Sequence, residues 1–291
     1  MVNSVTVRTP AKINLSLDIV GKRTDGYHFL KTIMQSVSIY DEVNIRLNND
    51  ENITVLCDVD GIPLDGENTA VKAAEAFFAQ TKTERSGVEI SIKKNIPVKA
   101  GLGGGSADAA AVLVGLNELY KTDLTSEQLC NIGINVGADV PFCIVGGTVL
   151  AEGIGEILMP LPDLENYVLL VAKPTEGVST AEAYKKFDEV VSVKRPDHDE
   201  MIAAIAVGDT ERVPKLCCNV LESASSNSDT EKIKEIMNEN NALCSVMSGS
   251  GSAVFGIFEK KRFAAAAQDD LQKFCEYTEI CSPVEKGAEI L

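Results

Sequence analysis

The sequence is poor in histidine and in positive charge. It has only two histidines, His28 and His198, among 291 residues, which argues against a metal site built from several histidines. Lysine and arginine number 27 against 43 aspartate and glutamate residues, so the net charge is −16. A general nucleic-acid-binding protein normally carries a basic face, and we therefore expect no nucleic acid partner. An anionic ligand would have to be held by local hydrogen-bond donors.

Long apolar runs and paired cysteines are also missing. No apolar run reaches the roughly 20 residues that a membrane-spanning helix needs, and no basic-then-apolar leader opens the chain. The eight cysteines include no C-x-x-C pair. In a chain with 45% hydrophobic residues, they are typical of reduced, buried core residues. We expect a cytoplasmic protein without membrane association, long enough for one large or two medium domains.

The most informative stretch is a glycine-rich loop between a predicted strand and a predicted helix. Gly101, Gly103, Gly104 and Gly105 follow a strand-like run at 88–92 and precede a helix predicted over 106–120. Glycines let a ligand approach the backbone, and a helix N-terminus presents N–H groups and a positive dipole end, so the pattern predicts a phosphate site. A flexible turn is the alternative, although a turn does not need the helix.

The loop differs from the two common phosphate-binding motifs. A P-loop has Lys and Ser/Thr directly after its last glycine, whereas Ser106 and Ala107 follow here. The dinucleotide fingerprint would need a third glycine where Ser106 stands. The stretch therefore predicts phosphate binding of another kind.

Polar residues stand at two further places near the start of the chain. A strand predicted over 12–20, after an interruption at Pro10–Ala11, alternates apolar residues with polar ones that begin with Lys12 and Asn14. These two side chains are either solvated or line a site at the strand end. Tyr27 and His28 leave a turn at 23–28 and are either incidental or present an aromatic face and a hydrogen-bonding ring.

Two later segments carry further candidates. Asp139 lies between apolar neighbours at a corner after a predicted helix, where it is either a turn or cap former or a reactive carboxylate. The segment 248–252 alternates serine and glycine. It is either a plain hairpin turn or a second loop of donors that closes over an anion.

The periodicities predict an α+β protein. Strands are predicted at 4–9, 32–39, 42–47, 52–57, 167–172, 253–258 and 278–281. Helices are predicted at 70–79, 179–190, 197–207, 210–222, 229–240 and 260–275. Asn68 is expected to cap the first of these helices. The proline-rich segment 160–162 suggests a boundary between an N-terminal domain at 1–160 and a C-terminal domain at 161–291.

Together these features suit phosphoryl transfer. That reaction needs donors around the phosphates, a cation that neutralises developing charge, and a group that orients or deprotonates the attacking hydroxyl. Lys12 supplies a cation and Asp139 a carboxylate. No histidine is required.

The sequence resembles the GHMP kinase superfamily. The resemblance rests on the loop at 97–109, the serine–glycine segment at 248–252, and the motifs at 10–15, 23–28 and 137–142. It spans most of the chain, apart from 190–240. It implies an α+β, two-domain GHMP kinase-like fold with the active site in the inter-domain cleft, and ATP, accompanied by Mg²⁺, as phosphoryl donor.

The resemblance also assigns site residues. Lys12 and Asp139 match the family's catalytic pair. The ATP-binding residues implied are Pro97, Gly101, Leu102, Gly103, Gly104, Gly105, Ser106, Ala107, Asn68 and Lys94. No protein ligand for a metal is implied, apart from Ser106 as a candidate.

Four features together, the motifs at 10–15, 23–28 and 137–142 and the three-glycine form of the loop, resemble one branch of the family and imply a cytidine-linked substrate. The reaction implied is phosphorylation of the 2-hydroxyl of a cytidine diphosphate-linked methylerythritol, in the non-mevalonate route to isoprenoid precursors. The substrate-binding residues implied are Asn14, Tyr27, His28, Tyr184, Gly249, Ser250 and Gly251. Tyr27 and Tyr184 are expected to sandwich the cytosine. A monomer or weak homodimer is expected.

Three other functions remain open from the sequence. A kinase for mevalonate, homoserine or a sugar would not require the Tyr27–His28 pair. A non-catalytic nucleotide-binding protein would not need both Lys12 and Asp139. A dinucleotide oxidoreductase is disfavoured by Ser106.

Overall fold

The computed structural model describes residues 3–24, 26–50, 52–83, 86–164, 166–225 and 228–291. Its strands are β1 (Ser4–Lys22), β2 (His28–Asn48), β3 (Ile53–Cys57), β4 (Gly87–Lys93), β5 (Thr148–Gly153), β6 (Ile157–Pro160), β7 (Val168–Lys173), β8 (Cys218–Asn219), β9 (Ala242–Met247), β10 (Val254–Phe258), β11 (Tyr277–Cys281) and β12 (Glu289–Ile290). Its α-helices are α1 (Thr69–Thr81), α2 (Gly104–Tyr120), α3 (Ser126–Gly133), α4 (Val140–Val145), α5 (Thr180–Phe187), α6 (His198–Ala206), α7 (Arg212–Leu216), α8 (Ser228–Glu239) and α9 (Lys261–Leu271).

The strands form two sheets. The larger, eight-stranded sheet has the order β12-β1-β2-β4-β3, with β5 and β6 continuing from β2 and β8 pairing with β1. The smaller sheet has the order β11-β7-β10-β9. Because β8 and β12 come from the second half of the chain and pair with β1, that half contributes to the larger sheet. The division of the chain at residue 160 stays a prediction.

The first strand differs most from its prediction. The predicted break at Pro10–Ala11 is wrong: β1 runs on, with a register shift against β2 at this point. Such an irregularity is where a strand accommodates proline, which cannot donate to the ladder. The alternative of a solvated polar face is also wrong, since Lys12 and Asn14 are buried. The parallel pairing of β8 with β1 at Ser16 and Leu17 helps to cover this strand.

The helices follow the predictions except at three places, of which the first is α4, a helix after Asp139 that was not predicted. The predicted capping of α1 is confirmed, because the Asn68 side chain accepts a hydrogen bond from Ala70 N. α2 begins at Gly104, two residues before its predicted start. The helix predicted over 210–222 is wrong, because α7 is followed by the short strand β8 and a 3₁₀ turn at Val220–Ala224.

The core of the larger sheet lies under α1 and α2. Val112 and Leu116 on the inner side of α2 are fully buried. Phe77 on α1 joins the same cluster. This packing fixes α2 on the sheet and so places its glycine-rich N-terminus beside Lys12, in the middle of β1. None of the helices within the described part of the chain is long and apolar enough to cross a membrane.

Candidate active site

The glycine loop opens directly into α2. Gly103 is the N-cap of this helix and has a positive φ of 74°, which an L side chain rarely adopts. A Cβ at Gly103 would lie 2.9 Å from Lys12 Cγ. Glycine at this position therefore lets the loop lie against the Lys12 side chain, with the helix N-terminus beside it.

The serine–glycine segment packs against the glycine loop. Ser248 Oγ donates to Gly101 O at 3.0 Å, and Ala253 N donates to Ala100 O at 3.1 Å. A Cβ at Gly101, whose φ is 76°, would lie 2.1 Å from Ser248 O. Two loops from opposite ends of the sequence thus form one wall. The plain hairpin turn does not account for these contacts with Ala100 and Gly101.

A buried polar network orients Lys12. The Lys12 ammonium donates to Asn14 Oδ1 at 2.7 Å and lies 3.6 Å from Asp139 Oδ2. Asn14 Nδ2 in turn donates to Thr32 Oγ1 at 2.8 Å. The Lys12 backbone N–H donates to Leu102 O at 3.0 Å, which ties the strand to the glycine loop. Because only 6% of the Lys12 side chain is exposed, its position is defined by these contacts.

Asp139 holds the position of a helix cap without acting as one. It is the N-cap of α4, yet its side chain makes no capping hydrogen bond. Its carboxylate points towards Lys12 instead and is partly exposed. The alternative of a simple cap former is therefore wrong, and the carboxylate is available for chemistry.

A cavity of about 460 Å³ brings most of the predicted site residues together. Its lining includes Lys12, Asn14, Asn68, Lys94, Pro97, Gly101, Leu102, Gly103, Gly104, Gly105, Ser106, Asp139, Tyr184, Gly249 and Ser250. Ala107 and Gly251 are not part of this lining. Ala107 N donates to Gly103 O inside α2, and Gly251 N donates to Ser248 O. Since both N–H groups are already bonded, these two residues shape the loops and offer no free donor.

A second cavity, of about 810 Å³, contains the predicted aromatic residues. Tyr27, His28 and Tyr184 line it, whereas Asp25 of the same motif lies outside the described residues. The Tyr184 ring stacks on His28, with centroids 5.1 Å apart and planes at 29°. This stacking of Tyr184 on His28 was not expected from the sequence. A base between Tyr27 and Tyr184 stays a prediction.

The two cavities meet at one place. Their linings share Leu30, Ser106, Asp139, Thr180 and Tyr184. A ligand in the first cavity and a ligand in the second would therefore both reach Asp139. One cavity holds the glycine loop and the other the aromatic rings, so their junction is the place where a group could pass from one ligand to the other.

Lys94 belongs to a buried ion cluster at the edge of the first cavity. Its ammonium lies 2.5 Å from Asp41 Oδ2 and 2.7 Å from Asp108 Oδ2. Only 4% of its side chain is exposed, so it is not a solvated surface lysine. Asp41 Oδ1 also accepts from the backbone of Asn95 and Ile96, whereas Asp108 Oδ1 has no partner among the described residues. The Lys94 ammonium is therefore already paired with side chains of the protein.

Asp108 is the carboxyl group of this cluster whose pKa is raised towards neutrality. Burial raises the pKa of Asp108 from 3.8 to about 7, since Lys94 only partly offsets the cost and Asp41 adds to it. The folded protein thus keeps a proton that the unfolded chain releases between these two values. The free energy of unfolding must fall as the pH rises through this window.

We expect the Asp108→Asn variant to be more stable than the original chain at neutral and alkaline pH. The amide keeps the shape and an acceptor for Lys94 but removes the second buried negative charge. Urea unfolding should give nearly equal stabilities at about pH 5 and a difference of about 1–4 kcal/mol in favour of the variant at about pH 8. A variant that is less stable at both pH values would mean that Lys94 stabilises the Asp108 carboxylate fully.

Several residues that build the site were not predicted from the sequence. Thr180 lines both cavities, and its hydroxyl lies 2.9 Å from Ser250 Oγ. The buried Asn219 donates to the carbonyls of Met247 and Gly249 and so holds the serine–glycine segment. Asp108 could have been noticed in the sequence, because a carboxylate among the alanines of a predicted helix indicates a buried polar contact. Thr180 and Asn219 carried none, because their roles depend on contacts distant in sequence.

The comparisons with known proteins show the family of this chain. Residues 68–147 match the family described as GHMP kinases N terminal domain, and residues 201–276 match GHMP kinases C terminal. A relative from Caldicellulosiruptor bescii named 4-diphosphocytidyl-2-C-methyl-D-erythritol kinase is 48% identical over 91% of this chain and 93% of its own length. A relative of the same name from Clostridioides difficile is 42% identical over 98% of this chain and 97% of its own.

Solved structures give the same result. A crystal structure of 4-(cytidine 5'-diphospho)-2C-methyl-D-erythritol kinase is 29% identical, with a TM-score of 0.79 over 96% of this chain and 98% of that one. A homoserine kinase from Cytophaga hutchinsonii has a TM-score of 0.81 at 20% identity, over 100% of this chain and 98% of that one, which shows the fold alone. This confirms the α+β, two-domain fold expected from the sequence. The chain belongs to the GHMP kinase family and, within it, to the 4-diphosphocytidyl-2-C-methyl-D-erythritol kinases.

Proposed function

We propose that the chain transfers the γ-phosphoryl group of ATP to the 2-hydroxyl of 4-diphosphocytidyl-2-C-methyl-D-erythritol. The observation that carries this proposal is the meeting of two cavities at Asp139, one lined by the glycine loop and the other by aromatic rings. ATP in the first and the cytidine compound in the second would bring phosphate and hydroxyl together at their junction. A kinase for a small substrate without a base does not require the second cavity's aromatic lining.

We propose the following roles for the charged pair. Asp139 accepts the proton of the hydroxyl as its oxygen forms a bond to the γ-phosphorus, and the bond to the bridging oxygen of ADP breaks. The Lys12 ammonium, 3.6 Å from Asp139, neutralises the negative charge that develops on the transferred group. Asn14 holds Lys12 in place and lines the first cavity.

The phosphates of ATP would occupy the glycine loop. The N-terminus of α2 at Gly104 offers N–H groups that have no partner within the helix, and its positive dipole end favours anions. Gly249 and Ser250 face the same cavity from the serine–glycine segment. Asn68 and the stem of Lys94 line the cavity where the nucleoside would lie.

We propose Mg²⁺ as the partner of ATP. Among the residues that the structure describes, no group of three or more His, Cys, Asp or Glu could hold a metal ion. Mg²⁺ commonly keeps several waters and binds through substrate phosphates and one or two carboxylates. The Ser106 hydroxyl, at the junction, would be a protein ligand beside the phosphates and waters. When bound, Mg²⁺ neutralises charge on the phosphates.

We further propose a cytoplasmic enzyme that acts as a monomer or weak homodimer on these two small molecules. All eight cysteines are free in the structure, which supports a reducing compartment.

A substrate panel tests the proposed function. The purified protein with ATP and Mg²⁺ is offered the cytidine compound, mevalonate, homoserine and galactose, and ADP release is measured. We expect turnover with the cytidine compound alone. Turnover with another member would keep the phosphoryl chemistry and reject the base pocket. If folded protein that binds ATP releases no ADP with any of the four compounds, the proposed kinase activity is rejected.

We expect the Tyr27→Ala variant to bind the cytidine compound more weakly and ATP normally. Stacking of a base on an aromatic side chain is worth about 1–3 kcal/mol, so KM for the cytidine compound should rise about 5- to 150-fold. KM for ATP, measured in the same assay, should hardly change because Tyr27 lines only the second cavity. An equal rise of both KM values would indicate a general structural defect.

A further inference from the structure

A single carboxylate ties together the elements that enclose the second cavity. Asp188 is the C-cap of α5, four residues after Tyr184. Its Oδ2 accepts from Lys22 Nζ at 2.5 Å, and its Oδ1 lies 2.8 Å from His28 Nε2. Lys22 ends β1, His28 begins β2, and the two are register partners. The carboxylate thus joins both ends of the β1–β2 turn to the helix that carries Tyr184.

The same carboxylate fixes the orientation of the His28 ring. Hydrogen bonds from Lys22 and then from His28 hold the pKa of Asp188 below its usual range, so it stays ionised. An ionised carboxylate only accepts hydrogen bonds, and His28 Nε2 must therefore carry the hydrogen. The ring is held at one edge by Asp188 and on one face by Tyr184. With 9% of its side chain exposed, His28 has little freedom.

The turn between the two strands carries Tyr27. It is closed by hydrogen bonds from Arg23 N to Tyr27 O at 2.7 Å and from Gly26 N to Arg23 O at 3.1 Å. Tyr27 is 65% exposed and lines the second cavity from the turn, which belongs to neither strand nor helix. The groups that hold the two ends of the turn therefore help to set the position of Tyr27 relative to Tyr184.

We propose that Asp188 is a positioning residue that clamps the β1–β2 turn to α5 and so sets the separation between Tyr27 and Tyr184. That separation decides whether a flat base fits between the two rings. The identity of the base as cytosine rests on the proposed function, whereas the clamp does not. Asp188 acts through Lys22 and His28 and has no part in the phosphoryl transfer.

Removal of the clamp should cost affinity for one ligand only. A turn that samples several positions binds the base only in the competent fraction of molecules, so the apparent affinity falls by that fraction. Lys12, Asp139 and the glycine loop do not contact Asp188, and the maximal rate should therefore persist. Tighter binding of the cytidine compound is the opposite result, and it also has a physical cause. Without Asp188, the Lys22 ammonium would be free to attract the diphosphate of the substrate.

The kinetic test compares two variants with a matched control. Asp188→Ala should raise KM for the cytidine compound about tenfold, and Asp188→Asn should raise it less, because an amide oxygen can still accept one of the two hydrogen bonds. KM for ATP and kcat should stay within about twofold in both. Glu189→Ala, which removes an exposed negative charge at the next position, should change nothing. An unchanged or lower KM for the cytidine compound, or an equal loss for ATP, would overturn the proposal.

A second measurement needs no substrate. The chain has no tryptophan, so the Tyr27→Trp variant places a single fluorophore on the turn. We expect its fluorescence anisotropy to fall when Asp188→Ala is added and to stay constant with Glu189→Ala. Constant anisotropy with Asp188→Ala would overturn the clamp. Lower anisotropy in a protein that does not phosphorylate the cytidine compound would leave the clamp intact and reject the proposed function.

Discussion

Replacement of Asp139 by asparagine is expected to lower kcat by about 10²- to 10⁴-fold, the usual contribution of a positioned general base. The amide has nearly the shape of the carboxylate but cannot take a proton from the substrate hydroxyl. The Asp139 side chain makes no capping hydrogen bond in α4, so little structural role is lost with its charge. KM for ATP and for the cytidine compound should change only slightly, because neither the glycine loop nor the aromatic rings are altered.

The measurement is steady-state kinetics combined with calorimetric titration of ATP. Asp199→Asn is the matched control, since its side chain is 91% exposed and lines neither cavity. It should keep kcat within about twofold of the original value. A near-normal kcat for Asp139→Asn would show that Asp139 neither accepts the proton nor orients the hydroxyl.

Replacement of Lys12 by methionine should lower kcat by about 10²- to 10³-fold, equivalent to the roughly 2.7–4 kcal/mol lost with one electrostatic donor. Methionine keeps much of the length and the apolar stem that lies against Gly103, but it loses the ammonium. The effect should fall on kcat more than on KM, because the charge it neutralises is largest in the transition state. Steady-state rates at saturating ATP and cytidine compound would measure it.

Two controls distinguish a loss of catalysis in the Lys12→Met variant from misfolding. Lys273→Met removes a surface charge that pairs only with Asp270 near the end of α9, and it should leave the rate unchanged. Thermal unfolding of Lys12→Met should still be cooperative, although the buried Asn14 loses its hydrogen-bond partner. If kcat stays normal while KM for ATP rises, Lys12 only holds phosphate in the ground state and has no special role in the transfer.

The junction depends on parts of the chain that are far apart in sequence. The glycine loop is held from outside by Ser248 and Ala253, and the serine–glycine segment is held in turn by Asn219. The helix that carries Tyr184 is joined to the first two strands through Asp188. Both halves of the chain are therefore needed before either cavity has its walls.

Local patterns were sufficient where a residue's role depends on its sequence neighbours. Four glycines before a helical run determined a helix N-terminus that can hold phosphate, because backbone N–H groups at such a terminus have no internal partner. The Asn68 cap followed from the same local rules. The pairing of Lys12 with Asp139 was also foreseen, but through the resemblance of whole motifs.

What only the tertiary structure decided is which polar groups are buried together. Nothing in the sequence shows that Lys94 is buried, yet it lies between Asp41 and Asp108, which stand 53 and 14 positions away. Lys12 and Asn14 occupy the polar positions of an alternating strand, a pattern that fits either solvent or a site, and they lie in the buried network beside Asp139. Burial, charge pairing and cavity walls depend on contacts between distant segments, and a periodicity of two or of 3.6 residues carries no information about those contacts.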